Sequence, residues 1–170
     1  MRKFSLLIGL SLFLSSCVIT KGKDGQPGKA GENASNTSSK NIFNQELATE
    51  LGADKYGMKP YVIVMLTTGT TKIEDKTKMA ELMKEHLANI RKLAKEGKVV
   101  VAGPFTSDNK QNFEGMFIFN TKSQEEAESW VKTDPAVKAG VFGYEILPWY
   151  GSAALPLYLK HHEEIAKENP

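Results

Sequence analysis

Two side chains in this 170-residue chain have the chemistry of a proton-transfer pair, His86 and Asp134. A histidine gains and loses a proton near neutral pH, and a neighbouring carboxylate orients the ring and stabilises its charged form. His86 lies at the margin of the apolar side of a predicted helix, and Asp134 precedes a proline in TDP. The structural alternatives are a core histidine and an aspartate that only shapes a turn. Residue types alone leave both interpretations open.

Other catalytic and metal-binding patterns are missing from the sequence. It has no phosphate-binding glycine-rich loop, no GxSxG or HExxH pattern and no pair of cysteines, so we predict neither a cofactor nor a metal site. His161 and His162 are adjacent, and neighbouring residues of a helix point about 100° apart. We therefore interpret them as part of a solvated helical tail rather than as a joint metal site.

The predicted elements between residues 57 and 150 place the two candidate side chains on or beside neighbouring helices. In chain order they are a strand at 61–66, a helix at 77–96, strands at 99–102 and 115–119, a helix from 123 to about 132 and a strand at 141–147. This βαββαβ order is the ferredoxin-like α+β arrangement. Its two helices pack side by side on one face of the sheet, so a contact between His86 and Asp134 is sterically allowed.

The predicted strands are apolar on both of their faces. In YVIVML (61–66) and MFIF (116–119), large apolar residues occupy consecutive positions, so both sides of each strand need burial. Two helices cover only one face of a four-stranded sheet. We therefore expect a second copy of the chain to bury the other face.

The first sixteen residues have the three parts of a secretory signal. A positive start is followed by an apolar run over residues 4–14, and small residues then lead to Cys17, the single cysteine. The run is shorter than the roughly 20 residues that span a bilayer. The sequence LSSC resembles the bacterial lipobox, in which cleavage leaves a lipid-modified cysteine. We predict a signal peptide at 1–16 and a diacylglycerol and palmitate anchor on Cys17; an ordinary secretory signal with a chance cysteine is the alternative.

The predicted anchor places the protein in the bacterial cell envelope, in the outer membrane if the organism is Gram-negative. Residues 17–56 are polar and predict a flexible tether with a short helix near 42–51, and residues 151–170 predict a helical tail that packs through Leu157 and Ile165.

The sequence has 22 basic and 20 acidic residues, and cleavage removes two basic ones to leave 20 of each. Nucleic acid is not an expected partner, because its binding needs a concentrated basic face.

One long part of the sequence resembles a known family. The stretch HLANIRKLAKEGKVVVAGPF, with the later GMFIFNTKSQEEAESWVKTDPAVKAGVFGYEILPW, is similar to the YciI-like (YCII-related) family over residues 61–149. The shared features are the helix histidine, the strand-ending Ala-Gly-Pro, the Asp-Pro after the second helix, and the closing Val-Phe and Pro-Trp. The resemblance implies a dimeric α/β barrel with a cleft that contains His86 and Asp134, and a turn at Gly103 and Pro104 near that cleft.

The resemblance also implies a function, because a few related proteins act on substituted aromatic rings. In such a reaction, His86 would act as general base in an elimination or isomerisation, and Asp134 would orient it. We therefore expect a membrane-anchored lipoprotein with lyase- or isomerase-type chemistry on a small molecule. Two alternatives stay open: a non-catalytic domain that binds a small molecule, and a scaffold whose dimer or tail contacts another envelope component.

Overall fold

The computed structural model describes residues 42–168, in which four strands form one sheet. The strands are β1 (Met58–Thr68), β2 (Val99–Pro104), β3 (Phe113–Phe119) and β4 (Phe142–Ser152). The helices are α1 (Gln45–Glu50), α2 (Lys76–Lys95), α3 (Gln124–Val131), α4 (Pro135–Lys138) and α5 (Leu159–Ile165), with a 3-10 turn at Leu155–Tyr158 before α5. The predicted leader, Cys17 and most of the predicted tether lie outside the described residues.

All neighbouring strands of the sheet are antiparallel, in the spatial order β2-β3-β1-β4. Helix α2 connects β1 to β2, and α3 and α4 lie between β3 and β4. The architecture is therefore α+β and compatible with the ferredoxin-like arrangement that the sequence predicts. Strand β1 is central: it pairs with β3 on one side and, along its whole length, with β4 on the other.

The two long helices begin and end at recognisable local signals. Asp75 caps the start of α2 by accepting two backbone N–H groups, at 2.9 and 3.2 Å. Gly97 follows the end of α2 with a φ of +69°, a left-handed conformation that glycine adopts without steric cost. Ser123 caps α3 by accepting a backbone N–H at 3.1 Å. Both helices are confirmed with nearly the predicted bounds, because these signals act within a turn of the chain.

The strands are longer than predicted and include three prolines that lie outside the predicted strand bounds. Pro60 lies inside β1, Pro148 lies inside β4, and Pro104 is the last residue of β2. The prediction that Gly103 and Pro104 form a turn is therefore wrong, because both belong to a strand. Each proline lies where its strand has one neighbour only, since β2 and β4 are edge strands and Pro60 pairs with β4 alone. A proline lacks an N–H group and is tolerated at such places.

The main core lies between the sheet and the helices. Val62, Val64 and Leu66 of β1 point to this side, together with Phe117 and Phe119 of β3, and all five are buried. The helices contribute the buried residues Leu93, Ala127 and Val131. Removing one such large side chain from water stabilises the fold by about 1.5–3 kcal/mol.

The second face of the sheet is covered in part by residues 153–168 of the same chain, here called the C-terminal segment. Tyr61, Val100 and Ile118 on this face are buried, and Leu155 of the 3-10 turn packs against them. The Tyr61 hydroxyl also donates to the carbonyl oxygen of Ser152 at 2.8 Å. Part of the apolar face that the sequence analysis assigned to a second copy is thus buried within one chain.

The C-terminal segment packs through different residues from those predicted. Leu157 and Ile165 are 39% and 79% exposed, whereas Leu155 is half-buried and the Tyr158 hydroxyl donates to the carbonyl oxygen of Val100. In a 3-10 turn, residues three apart lie on the same side, which directs the side chains of Leu155 and Tyr158 together onto the sheet. The predicted packing assumed that Leu157 belongs to an α-helix, but Leu157 lies in the 3-10 turn and α5 begins only at Leu159.

Residues 42–57 precede the sheet and are linked to β4 by one carboxylate. Asp54 accepts the backbone N–H groups of Tyr56 and Met58 at 2.8 and 3.1 Å, and it also accepts the Tyr150 hydroxyl. That phenol lowers the pKa of Asp54, and Asp54 in turn raises the pKa of Tyr150. No helix within residues 42–168 is long and apolar enough to cross a membrane.

Candidate active site

His86 and Asp134 are in direct contact. The imidazole Nδ1 of His86 lies 2.6 Å from the carboxylate Oδ2 of Asp134, a short hydrogen-bond distance. The Asp134 side chain is 1% exposed and the His86 side chain is 12% exposed. The middle of α2 and the start of α4 therefore bring together the two residues whose contact the sequence left open.

Asp134 is held in place by the backbone that follows it. Its Oδ1 accepts the N–H of Ala136 at 2.8 Å and so caps α4. Pro135 occupies the first turn of that helix, where its missing N–H has no cost because no partner is available there. One carboxylate oxygen thus bonds the backbone and the other bonds the imidazole. Asp134 both shapes a turn and orients a histidine, so the two sequence interpretations describe the same residue.

The burial of the carboxylate determines which imidazole nitrogen carries the proton. A buried carboxylate needs hydrogen-bond donors, and the donors to Asp134 among residues 42–168 are the Ala136 N–H and the His86 ring. Nδ1 therefore donates to the carboxylate, and in the neutral imidazole Nε2 is left with the lone pair. A ring oriented in this way presents Nε2 as a base, and the carboxylate lies beside the positive charge that forms on protonation.

Two aromatic rings flank the imidazole. The Phe142 ring meets it nearly edge-on, with 5.4 Å between ring centroids, and the Phe117 ring lies 6.3 Å away at 35°. Strand alternation places Phe117 on the helix side of β3, but it does not show which core residues touch His86. Neither ring was predicted as part of the site, because its position beside His86 depends on how α2 crosses the sheet.

Gly103 and Pro104 lie beside the site without touching its central pair. Ala102, which precedes them on β2, pairs with Phe117, the residue whose ring contacts His86. Both Gly103 and Pro104 are exposed. Within residues 42–168, no hydrogen bond, ion pair or ring contact joins them to His86.

The family model of the YCII-related domain matches residues 61–150, just over half of the chain. This range runs from β1 to β4 and includes His86 and Asp134. The chain belongs to the YCII-related family. The YCII-related domain thus coincides with the four-stranded sheet and its helices, and the resemblance described from the sequence is confirmed.

One solved structure that resembles the YCII-related chain is a 5-chloro-2-hydroxyhydroquinone dehydrochlorinase from Burkholderia phenoliruptrix AC1100, in complex with 2,5-dihydroxybenzoquinone. The two chains share 24% sequence identity, and the match covers 54% of this chain and 93% of that chain, with a TM-score of 0.38. A likeness of this strength assigns neither an activity nor a ligand to this protein. A comparison with curated proteins found no match.

A polar cavity of about 360 Å³ lies at the loop between β2 and β3 of the YCII-related domain. It is lined by Thr68, Phe105, Thr106, Ser107, Asp108, Asn109, Asn112, Phe113 and Glu114. His86 and Asp134 are not part of its lining. Thr68, which lines the cavity, is the partner of Phe142 in the β1–β4 ladder. The Phe142 ring in turn contacts His86. The polar groups of this cavity already have partners: the Asn109 side chain bonds the backbone of Phe113, and the Thr68 hydroxyl bonds the Glu114 carboxylate.

The remaining histidines of the YCII-related protein lie away from this pair. Nδ1 of the exposed His161 lies 2.8 Å from Oε2 of Glu164 on α5. Within the described part of the chain, no group of three His, Cys, Asp or Glu side chains is placed to hold a metal ion.

Proposed function

We propose that the YCII-related domain catalyses a proton transfer of the lyase or isomerase type on a small organic molecule. His86 is the general base in this proposal, and Asp134 orients it. The observation that carries the proposal is the 2.6 Å contact between Nδ1 and Oδ2. It joins a carboxylate that is 1% exposed to an imidazole that remains 12% exposed, so Asp134 is kept from water while part of the His86 side chain reaches the surface.

The proposed reaction begins when Nε2 of His86 removes a proton from the substrate. The imidazolium that results lies beside the Asp134 carboxylate, which lowers the energy of the charged intermediate state. In an isomerisation, the same nitrogen returns the proton at another position of the substrate. In an elimination, the electron pair left by the proton expels a leaving group, and the proton passes to solvent. General base catalysis of this kind contributes about 10²–10⁴-fold in rate.

The test of this function uses substituted hydroxylated aromatic compounds, the substrate class that the family resemblance favours. The full chain is incubated with a panel of halogenated hydroquinones, and halide release and proton exchange in D₂O are followed by NMR. We expect turnover that falls about 10²–10⁴-fold in His86→Ala and stays unchanged in His161→Ala, an exposed histidine on α5. Equal turnover of every compound by wild type and His86→Ala would contradict the proposal.

A non-catalytic binding function is the second candidate. The ring of Phe142, which is partly buried and lies beside the imidazole, favours a flat apolar ligand. Such a domain would retain a compound from the same panel for hours and release it chemically unchanged. Mass spectrometry of the released ligand therefore separates the two functions.

The proposed location is the bacterial cell envelope, with the protein anchored to a membrane through lipid on Cys17. This proposal rests on the sequence around Cys17. Cells that express the full chain are labelled with an alkyne-tagged palmitate analogue. We expect label on the wild type and none on Cys17→Ser, with the labelled protein in the membrane fraction. Equal labelling of both proteins would show that Cys17 is not the anchor.

The proposed partner is a second copy of the chain, on the part of the second sheet face that the C-terminal segment leaves open. Leu147 and Trp149 of β4 are 45% and 37% exposed, and Leu147 pairs with the half-buried Ile63 of β1. Adjacent exposed apolar side chains of this size favour an interface. Face-to-face packing of two copies would bury this apolar strip, which consists of Ile63, Leu147 and Trp149.

Two charges make the strip self-complementary. Lys59 pairs with Gly151 at one end of the β1–β4 ladder, and Glu145 pairs with Met65 toward the other end, roughly 20 Å away at the spacing of residues in a strand. A two-fold axis that reverses the strand direction would place Lys59 of one copy near Glu145 of the other, twice in the dimer.

Sedimentation of the full chain in detergent tests this dimer. We expect dimers at micromolar concentration, weaker association in Lys59→Glu and in Glu145→Lys, and restored association in the double variant that exchanges the charges. A monomeric wild type would contradict the dimer. A dimer that is insensitive to both single variants would contradict the two-fold arrangement.

A further inference from the structure

A second polar contact joins the same two parts of the chain as the His86–Asp134 pair. The side-chain amide of Asn89 lies 3.2 Å from the hydroxyl of Thr133. Asn89 follows His86 by three residues on α2, so the two side chains lie on the same side of the helix. Thr133 directly precedes Asp134, and it is exposed where Asp134 is buried. Two polar contacts therefore join α2 to the corner between α3 and α4. The His86–Asp134 contact is the inner one, and the Asn89–Thr133 contact is the outer one.

The direction of the Asn89–Thr133 hydrogen bond follows from the number of available protons. The Thr133 hydroxyl has one hydrogen and donates it to the carbonyl oxygen of Trp130, at 2.6 Å. The same hydroxyl also faces the amide oxygen Oδ1 of Asn89 at 3.2 Å, so its one hydrogen is shared between two acceptor oxygens and the bond to Asn89 is the longer one. The hydroxyl thus connects α2 to the last turn of α3, and its own orientation is held by the backbone.

We propose that Asn89 and Thr133 are positioning residues for His86. The buried Leu93 holds α2 against the core, and the His86–Asp134 contact is its inner polar attachment; a small rotation of the helix about its axis still moves Nδ1 away from the carboxylate. A second contact one turn further along α2 opposes that rotation. Catalytic side chains need their geometry held to within about 0.5 Å. The consequence for turnover rests on the proposed function, whereas the effect on the imidazole does not.

The test observes the imidazole itself. The full chain has three histidines, and ¹⁵N-histidine labelling with a His86→Gln reference assigns the His86 signals in NMR spectra. We expect Asn89→Ala and Thr133→Val each to accelerate the exchange of the Nδ1 proton with water by roughly 2- to 10-fold, the effect of losing one hydrogen bond. Thr133→Ser keeps the hydroxyl and is expected to retain the wild-type rate.

The matched control removes a similar hydrogen bond elsewhere. The Ser129 hydroxyl donates to the carbonyl oxygen of Glu126 at 2.6 Å on the exposed side of α3, so Ser129→Ala is expected to leave the His86 signals unchanged. Wild-type exchange rates in both Asn89→Ala and folded Thr133→Val would overturn the proposal. If Thr133→Val does not fold, an unchanged rate in Asn89→Ala alone overturns it.

Failure of the proposed function has a different signature. If His86→Ala converts the substrate panel as the wild type does, while Asn89→Ala still accelerates proton exchange, the positioning role stands and the catalytic role is lost. If His86 is required for turnover, we expect Asn89→Ala to lower kcat with little change in KM, because Asn89 acts through His86 and touches no ligand in this proposal.

Discussion

Asp134 bonds both the imidazole of His86, 48 residues earlier in the chain, and the backbone N–H of Ala136, two residues later. The carboxylate therefore combines a long-range contact with a local one. The local bond holds the aspartate in the geometry that the long-range bond needs. Removing the side chain breaks both bonds, whereas an amide in its place preserves the shape and removes the charge.

Loss of the Asp134 side chain is expected to destabilise the fold. Asp134→Ala removes a helix cap and leaves a largely buried imidazole without its partner, which together cost about 2–4 kcal/mol. Urea unfolding followed by circular dichroism measures this free energy. Asp108→Ala, on the exposed β2–β3 loop, is the control and should change it by less than about 0.5 kcal/mol. An unfolding free energy equal to that of the wild type would show that the pair contributes nothing to stability.

The aromatic core residues of β3 are expected to contribute strongly to stability. Phe119 is fully buried and contacts the Phe117 and Trp130 rings, so Phe119→Ala should cost about 3–5 kcal/mol. Phe105 is 43% exposed and contacts the Phe113 ring only at the loop. Phe105→Ala serves as the matched control, and thermal unfolding measures both. Similar losses of Tm in the two variants would contradict the assignment of the core to the helix side of the sheet.

Docking of the C-terminal segment is expected to weaken at alkaline pH. Burial raises the pKa of Tyr158 and of Tyr61 above the ordinary value of 10.0, so the undocked phenols lose their protons first as pH rises. Their contribution to docking is complete below about pH 10 and is lost as pH rises through the raised values. Proteolysis of residues 153–168 between pH 8 and 11 measures the docking.

The variant Tyr158→Phe separates the contribution of Tyr158 to this pH dependence from that of Tyr61. Tyr158→Phe should cleave faster than the wild type at pH 8, because the hydroxyl contact with Val100 is absent. Its cleavage should also rise less steeply with pH. Parallel pH profiles in the two proteins would count against a role for the Tyr158 hydroxyl.

Two glycines are expected to respond differently to the same substitution. Gly97 has a φ of +69°, so Gly97→Ala places a Cβ in a left-handed conformation and should cost about 1–2 kcal/mol. Gly103 has no such conformation and has open space at its Cβ position, so Gly103→Ala should leave stability unchanged. Chemical denaturation measures both. A loss for Gly103→Ala comparable to that for Gly97→Ala would reveal a constraint at Gly103 that the fold does not explain.

The sequence by itself determined the elements whose signals are local. The capping residues Asp75 and Ser123 and the glycine at 97 act within one turn of the chain, so the two long helices were predictable without any tertiary contact. The same is true of the apolar runs in the strands and of the βαββαβ order. The family motifs are also spread along the sequence in a fixed order, so they could be recognised before any distance was known.

Only the tertiary structure decided which distant residues meet. The strands run through Pro60 and Pro148 because the sheet order leaves one side of each strand open there, and sheet order is a property of long-range pairing. Likewise, Tyr158 meets Val100 because a 3-10 turn, not an α-helix, follows β4. The contact of His86 with Asp134 depends on how α2 crosses the sheet, so two candidate residues became a pair only when the helices packed.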